Sequence, residues 1–240
     1  MDTSRSWLWP WQRLRLIRKM RDDWEQRAHE NSRHYIANCK VDWTDEEFFR
    51  SGEMTVQADI LTDMGNICQG KDPKALNVLE LGCGAGRLTR ALAKVFGQVH
   101  GVDISPEMIR QAREALRDSP NAHVHLNNGA DLSQFAANTF DFAYCVSVFH
   151  HIPSRKIIER YMREVSRVLR PGCLFKFEVQ GYPDIARSGP DDTWLGASFT
   201  ERHAVEMAVR CGFDPRYRIG EGQENFWLWY FKWPDESSRA

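Results

Sequence analysis

A chain of 240 residues with 42% hydrophobic and 27% charged side chains can bury the core of one sizeable globular domain plus a small appendage, which excludes disorder as its main state. Its formal net charge of -1 gives no overall field to attract nucleic acid, so contact with a polyanion would have to come from a local patch. Six scattered cysteines without a Cys-x-x-Cys pair suit free thiols in a reducing cytosol, and exclude a disulfide framework or a zinc knot as the reading of choice.

Residues 1–73 are expected to form an N-terminal helical cap or lid. Trp7, Trp9 and Trp11 precede "RLRLIRKMR", where Arg13, Arg15, Arg18, Lys19 and Arg21 make a cationic surface and Leu14, Leu16, Ile17 and Met20 an apolar set. That apolar set suits docking on the chain's own domain, and contact with an anionic membrane surface is the less favoured use. Helical pattern runs from Pro10 to Ile36. Trp24, Tyr35, Trp43, Phe48 and Phe49 follow as aromatics suited to closing over a bound ligand and building an apolar pocket. No apolar run approaches the roughly 18 residues of a membrane span, and the start lacks the apolar core of a signal peptide, so a cytoplasmic protein is expected.

From Lys74 to the end, residues 74–240, short apolar runs alternate with helical patterns, the signature of a parallel sheet wound with crossover helices. "ALNVLEL" reads as a strand and "RLTRALAKVF" as the helix after it, with Leu88, Ala91, Leu92 and Val95 on one face. "VHGVDI" is a second strand, and "SPEMIRQAREALRD" begins with Ser105 as N-cap and Pro106 in the first helical position. "AHVHLNN" is a third strand, and "FDFAYCVSV" a fourth, apolar on both faces as a central strand should be. The helix "SRKIIERYMREVSRVL" is stopped by "RPG", the strand "CLFKFEV" follows, and "TERHAVEMAVRCG" runs from its N-cap Thr200 to Gly212. "FDPRYRI" and "NFWLWYFKW", joined by "GEGQE", close the chain as an antiparallel pair at one edge. The irregular piece Gln180 to Phe199, carrying Tyr182 and Trp194, follows a strand, where open sheets bind ligands.

The loop "LELGCGAGRLTRAL" places Gly82, Gly84 and Gly86 after the first strand, with Glu80 two residues ahead of them. A dinucleotide loop reads G-x-G-x-x-G, whereas here the third glycine comes one residue early. Asp103 ends the second strand 21 residues after Gly82, where a carboxylate accepts the ribose hydroxyls of an adenosine. Both nicotinamide and other adenosyl ligands fit that acid.

Five segments in order, "VLELGCGAG", "VHGVDISPEMI", "NNGADL", "FDFAYCVSVFHHIP" and "VSRVLRPGC", resemble the class I S-adenosylmethionine-dependent methyltransferases over about Lys74 to Pro234. Cys173 departs from the pattern, standing where the family usually has a second glycine. The resemblance implies an α/β, Rossmann-like, doubly wound sheet of seven strands, mostly parallel, whose last strand runs antiparallel between the fifth and sixth. It implies S-adenosyl-L-methionine as methyl donor. Gly82, Gly84 and Gly86 would then pass its methionine part, Asp103 its ribose, and Ile104 and Met108 its adenine. Asp131 would meet the adenine amino group beside the Ala130 backbone, Val146 would offer its backbone to the methionine end, and Arg87 is a candidate for the donor carboxylate.

His150 and His151 follow the fourth strand where the family faces donor and acceptor, and histidine suits proton transfer near neutral pH. Adjacent residues on an extended segment diverge, so at most one of them is expected to face the reaction centre and the other to pack or cap the following turn, with a structural role for both as the alternative. No carboxylate or further histidine stands near them at metal-ligand spacing, and no metal is expected. The function implied is methyl transfer to an oxygen, nitrogen or sulfur of a small molecule. Balanced charge, the lack of an added recognition domain and the lack of an Asn/Asp-Pro-Pro-aromatic signature count against nucleic acid. The alternatives are a protein acceptor, a donor-binding sensor or scaffold without turnover, and, more remotely, a nicotinamide-dependent dehydrogenase.

Overall fold

Apolar side chains on both faces make "FDFAYC" a strand that only a covered sheet can accommodate, and it becomes β4 (Phe140–Cys145), buried at every position. The computed structural model describes residues 10–182 and 189–234, so Trp7 and Trp9 lie outside the described residues, as does the middle of the irregular piece after residue 180. Around β4 are β1 (Asn77–Leu81), β2 (Gln98–Asp103), β3 (Ala122–Leu126), β5 (Leu169–Gln180), β6 (Phe213–Ile219) and β7 (Asn225–Lys232). Their order is β3-β2-β1-β4-β5-β7-β6, with β7 antiparallel to both neighbours and the other pairings parallel. The seven-stranded Rossmann-like sheet and its antiparallel last strand agree with the expectation. The order reverses between β1 and β4, which opens a crevice at the carboxyl ends of those strands.

Three helices precede the sheet: α1 (Pro10–Ile36), α2 (Asp45–Asp59) and the short α3 (Met64–Cys68). Within α1, Asn31 leaves helical geometry at φ -167°, ψ 80°. Its side chain explains the break, donating to the Val41 carbonyl and accepting from the His34 N–H, so that it caps the last turn. A reciprocal capping box between Thr44 and Glu47 starts α2. Among the described residues no helix is long and apolar enough to cross a membrane.

The crossover helices are α4 (Arg87–Val95), α5 (Pro106–Ala115), α6 (Arg155–Val168) and α7 (Glu201–Arg210). One sheet face packs against α6 and α7 through Leu79, Phe175, Phe177, Tyr230, Met162 and Met207. On the other, Val78, Phe142, Tyr144 and Leu174 meet Leu92 of α4 and Val56 of α2. The expected stop at "RPG" differs from what forms: α6 ends at Val168 and β5 begins at once with Leu169. Arg170 to Cys173 bulge out between the pairs Phe140–Leu169 and Phe142–Leu174, with Gly172 at φ +78°.

The connection between β3 and β4, residues 127–139, contains no helix of its own. At that corner His100 Nδ1 lies 3.1 Å from His125 Nε2, and the His100 ring packs on His123, Phe135 and Phe140. Burial above all, with charge on His123 and His125 acting the same way, pushes His100 down to about 4. A histidine held neutral in the fold and free to protonate near pH 6.5 once unfolded adds stability above that pH and loses it as the pH falls toward 4. His150 and His151, also held near 4 by burial, act with the same sign. The melting temperature should therefore drop between pH 7 and 5, and His100→Phe should recover part of the drop. An unchanged slope in that variant would show that His100 protonates in the fold without cost.

Candidate active site at the carboxyl ends of the strands

The apolar run of β1 ends on Glu80, whose buried carboxyl accepts a hydrogen bond from Thr89 Oγ1 at 2.6 Å and is pushed up to about 7 by burial. Beyond it the chain turns into α4 with no room for side chains. A Cβ on Gly82, at φ +70°, would sit 2.2 Å from Val148 Cγ2, and one on Gly84 would sit 2.7 Å from Ile36 Cδ1. The N–H groups of Gly82 and Cys83 donate to the Val102 carbonyl, fastening the loop to β2. At the end of β2, Asp103 accepts from the Gly84 N–H with one carboxylate oxygen and from the Ser105 N–H with the other, each at 2.9 Å. Burial raises its pKa against those hydrogen bonds.

Helix α1 walls this cleft from the side opposite the sheet. Leu16, Ile17 and Met20 are buried beside Leu81, Val102 and Tyr161, while Trp24, Tyr35 and Ile36 line the opening. Glu25 fixes the helix in place: its Oε2 accepts from Ser105 Oγ at 2.5 Å and from the Glu107 N–H at 3.0 Å, at the start of α5. Close packing of Gly52 on the Arg87 carbonyl lets α2 bring Ser51 and Thr55 to the Arg87 guanidinium. The Nε of Arg87 is buried and has no hydrogen-bond partner among the described residues. At the other end Tyr161 Oη donates to Asn127 Oδ1, which also accepts from the Gly129 N–H, both at 2.7 Å.

After β4 the chain passes Val146, then Ser147 at φ +55°, then a 3-10 turn over Phe149–His151. The two histidines therefore sit on a tight turn and not on the extended segment expected, but they still diverge. His151 faces the cleft, its Nδ1 2.7 Å from the Trp194 carbonyl and its ring packed on Trp24 and Trp194 at 4.9 and 5.0 Å. Hydrogen bonding to a carbonyl puts the proton on Nδ1 and leaves a lone pair on Nε2. His150 turns toward β5, with Nε2 3.8 Å from Glu178 Oε1. Arg27 joins the walls: it donates to the carbonyl and hydroxyl of Thr193, and its guanidinium lies over the rings of Trp24 and Trp194.

The structure brings Glu80, Gly82, Gly84, Asp103, Ile104, Met108, Val146 and His151 around one cleft. Gly86, Ala130, Asp131 and His150 do not line it. Gly86 starts α4 at φ +84°, and a Cβ there would face Ala112 and Leu116 of α5. Asp131 points to the surface, accepting from Asn128 Nδ2 and Ser133 Oγ at 2.8 Å and facing Arg160; the Asn128 side chain also takes the Ala130 N–H, curling this loop outward. Trp43, Phe48 and Phe49 pack on one another away from the opening, and Tyr182 is exposed. Sequence reasoning missed Glu25, Asn127, Tyr161 and Glu178. Tyr161 lies in the apolar stripe of α6 and Glu25 among many charges on α1, so neither carried a local signal; the doublet "NN" was the one legible hint of a side-chain-bonded turn. Among the described residues no group of three or more His, Cys, Asp or Glu side chains is arranged to hold a metal ion.

Residues 78–172 match the family described as "Methyltransferase domain". A ubiquinone biosynthesis O-methyltransferase of Xanthomonas axonopodis pv. citri (strain 306) is 29% identical over 135 residues, 51% of this chain and 55% of that protein. Its counterpart from Xanthomonas campestris pv. campestris (strain B100) is 31% identical over 129 residues, 48% of this chain and 53% of that protein. The chain thus spans about half the length of the curated relatives it matches. Among solved structures, magnesium protoporphyrin IX methyltransferase from Synechocystis PCC 6803 with bound SAH aligns with a TM-score of 0.65 at 18% identity, over 90% of this chain and 99% of that one. A SAM-dependent methyltransferase from Methanosarcina mazei aligns with a TM-score of 0.55 at 24% identity, over 68% and 94%. Because the Gly82 turn tolerates neither a Cβ nor its φ, Gly82→Ala should destabilise the fold by about 1–3 kcal/mol and distort the cleft. Chemical denaturation measures the first effect; a loss below about 0.5 kcal/mol would mean that Val148 moves aside freely.

Proposed function

We propose that this chain, a class I S-adenosylmethionine-dependent methyltransferase, transfers the methyl group to an oxygen, nitrogen or sulfur atom of a small-molecule acceptor. The observation that carries the reading is one cleft with two chemically different walls: the glycine turn with Asp103 on one side, and Trp24, Tyr35 and His151, gathered by the Trp194 ring that packs on all three, on the other. The first suits an adenosyl donor and the second a flat apolar molecule. The names of the relatives, a ubiquinone biosynthesis O-methyltransferase and a magnesium protoporphyrin IX methyltransferase, support a small acceptor and make oxygen the first atom to test. Five buried cysteines among six free ones fit a reducing compartment such as the cytoplasm.

Several features fit the donor. The buried, unpartnered Nε of Arg87 matches its carboxylate, and Asp103 its ribose hydroxyls. Gly82 and Gly84 bring backbone to the methionine part, with Glu80 and Val146 beside it, while Ile104 and Met108 face the adenine. Gly86 supports these indirectly, through the α4–α5 packing. Asn127 and Tyr161 shape the adenine end, a part we assign to them because Asp131 is engaged outside the cleft.

The donor supplies a methyl already activated on a positive sulfur, so the protein's work is alignment and exclusion of water. His151 is held neutral, pushed down to about 4 by burial, and presents the Nε2 lone pair. A base this weak orients the acceptor by accepting a hydrogen bond at Nε2 and does not keep a proton at neutral pH.

A panel of phenols, amines, thiols and carboxylates incubated with labelled methyl donor tests the function directly. His151→Ala should lower turnover about 10²-fold and leave donor affinity, measured by calorimetry, within about 3-fold. Asp103→Ala should weaken donor binding at least about 10-fold, equivalent to roughly 1.4 kcal/mol. Donor binding without labelling of any acceptor would favour a sensor, and full activity of His151→Ala would remove that residue from the chemistry.

A further inference from the structure

Glu178 lies on β5 with its side chain almost wholly buried. Its Oε1 accepts hydrogen bonds from the Ser147 N–H at 2.8 Å and from Ser147 Oγ at 3.2 Å, and its Oε2 has no partner among the described residues. His150 Nε2, also buried and without a hydrogen-bond partner, faces it from 3.8 Å. The other nitrogen of that ring is left to bond the Val179 backbone, so the neutral imidazole has a bare lone pair at Nε2. A carboxylate and a lone pair facing each other away from water repel, and one proton placed between them relieves the repulsion. Ser147 lines the cleft, and its left-handed backbone is one that a residue with a Cβ keeps only where its surroundings impose it. The surroundings here are Glu178.

We infer that Glu178 is a positioning residue that draws the acceptor's proton through Ser147 Oγ, with His150 Nε2 as the proton's alternative seat. The inference rests on the methyl-transfer reading above. In the step, the acceptor lone pair forms the new bond to the methyl carbon while the sulfur–methyl bond breaks and its electron pair stays on sulfur, now neutral. The acceptor's proton passes to Ser147 Oγ as the serine's own proton passes to Glu178 Oε1. Charge balances: the positive sulfonium and the carboxylate are consumed, and a neutral thioether and a neutral carboxylic acid remain until the proton leaves to solvent.

The groups around the carboxyl suit this use. Burial pushes Glu178 up to about 7 against the two Ser147 hydrogen bonds, and the charges of Asp59 and Glu224 add to it. Lys176, on the same strand, is committed to the Asp59 carbonyl and to Asp63, and Tyr144 Oη donates to Asp59. Trp227 of β7 stands opposite Glu178 in register. Burial also keeps His150 near 4, so the shared proton rests on the carboxyl, which ionises near neutral pH.

Two variants of the full chain test the relay. E178Q keeps an acceptor oxygen for Ser147 but cannot ionise, and S147G keeps the left-handed backbone while removing Oγ. Infrared titration of the donor-free protein reads the protonated carboxyl without any acceptor. The wild type and S147G should lose this band as the pH rises through about 7, and E178Q should show a weaker one, keeping only the share owed to Glu80, itself pushed up to about 7. With an acceptor found by the labelling panel, wild-type turnover should rise through the same pH. Both variants should lose that acid limb and about 10- to 10²-fold in turnover, with donor affinity within about 3-fold of the wild type. A band unaltered in E178Q, or near-wild-type turnover with the acid limb intact in both variants, overturns the relay. Should E178Q fail to fold, S147G decides alone, since it must retain the band yet lose the limb. Failure of the wild type with every acceptor would sink the methyl-transfer reading instead.

Discussion

One carboxylate, Asp103, holds the two halves of the cleft together. Its oxygens accept from the N–H of Gly84 in the loop after β1 and from the N–H of Ser105 at the head of α5, so the glycine turn and the second crossover share one anchor. Hydrogen bonds to a charged group contribute about 1.5–3 kcal/mol each, enough to keep a turn that would otherwise open into water. Both oxygens retain further lone pairs, so the acid that builds the site can also bind in it. Burial opposes its charge, which makes the surrounding N–H groups a condition for ionisation as well as for shape.

Around that anchor the elements divide the work. The sheet contributes rigid strand ends, while α1 contributes a wall that is seated by Leu16, Ile17 and Met20 and pinned by Glu25 to the start of α5. A helix before the sheet thus becomes part of the cleft through one carboxylate capping the N–H groups of another helix. The polar groups under the right half of the sheet follow the same rule. Asp141 is buried between Lys71 and Arg170, and Lys176 between the Asp59 carbonyl and Asp63, so each of these two buried charges meets an opposite one.

Much of this was legible from the chain because it is local. Alternating runs marked all seven strands, Ser105 and Thr200 marked helix starts, and the spacing from Gly82 to Asp103 marked the adenosyl side of the cleft. What stayed hidden depends on partners distant in the chain. Nothing near His150 and His151 says which of them faces the cleft; the choice is made by the Trp194 carbonyl, 43 residues on, and by the turn that aims His150 at β5. Nor does the sequence show that Asn128 and Ser133 turn Asp131 outward from the cleft. The first residues of β5, from Leu169 to Gly172, were missed because a bulge hides the period of two.

The hydroxyl of Thr193 carries a last consequence. It donates to Asp23 and accepts from Arg27, while the Thr193 carbonyl takes a second Arg27 hydrogen bond, and that guanidinium lies over the rings of Trp24 and Trp194. One threonine is thus the latch between α1 and the segment that carries Trp194. Parting α1 from this segment breaks all of these contacts together, so the two hold or separate as one unit.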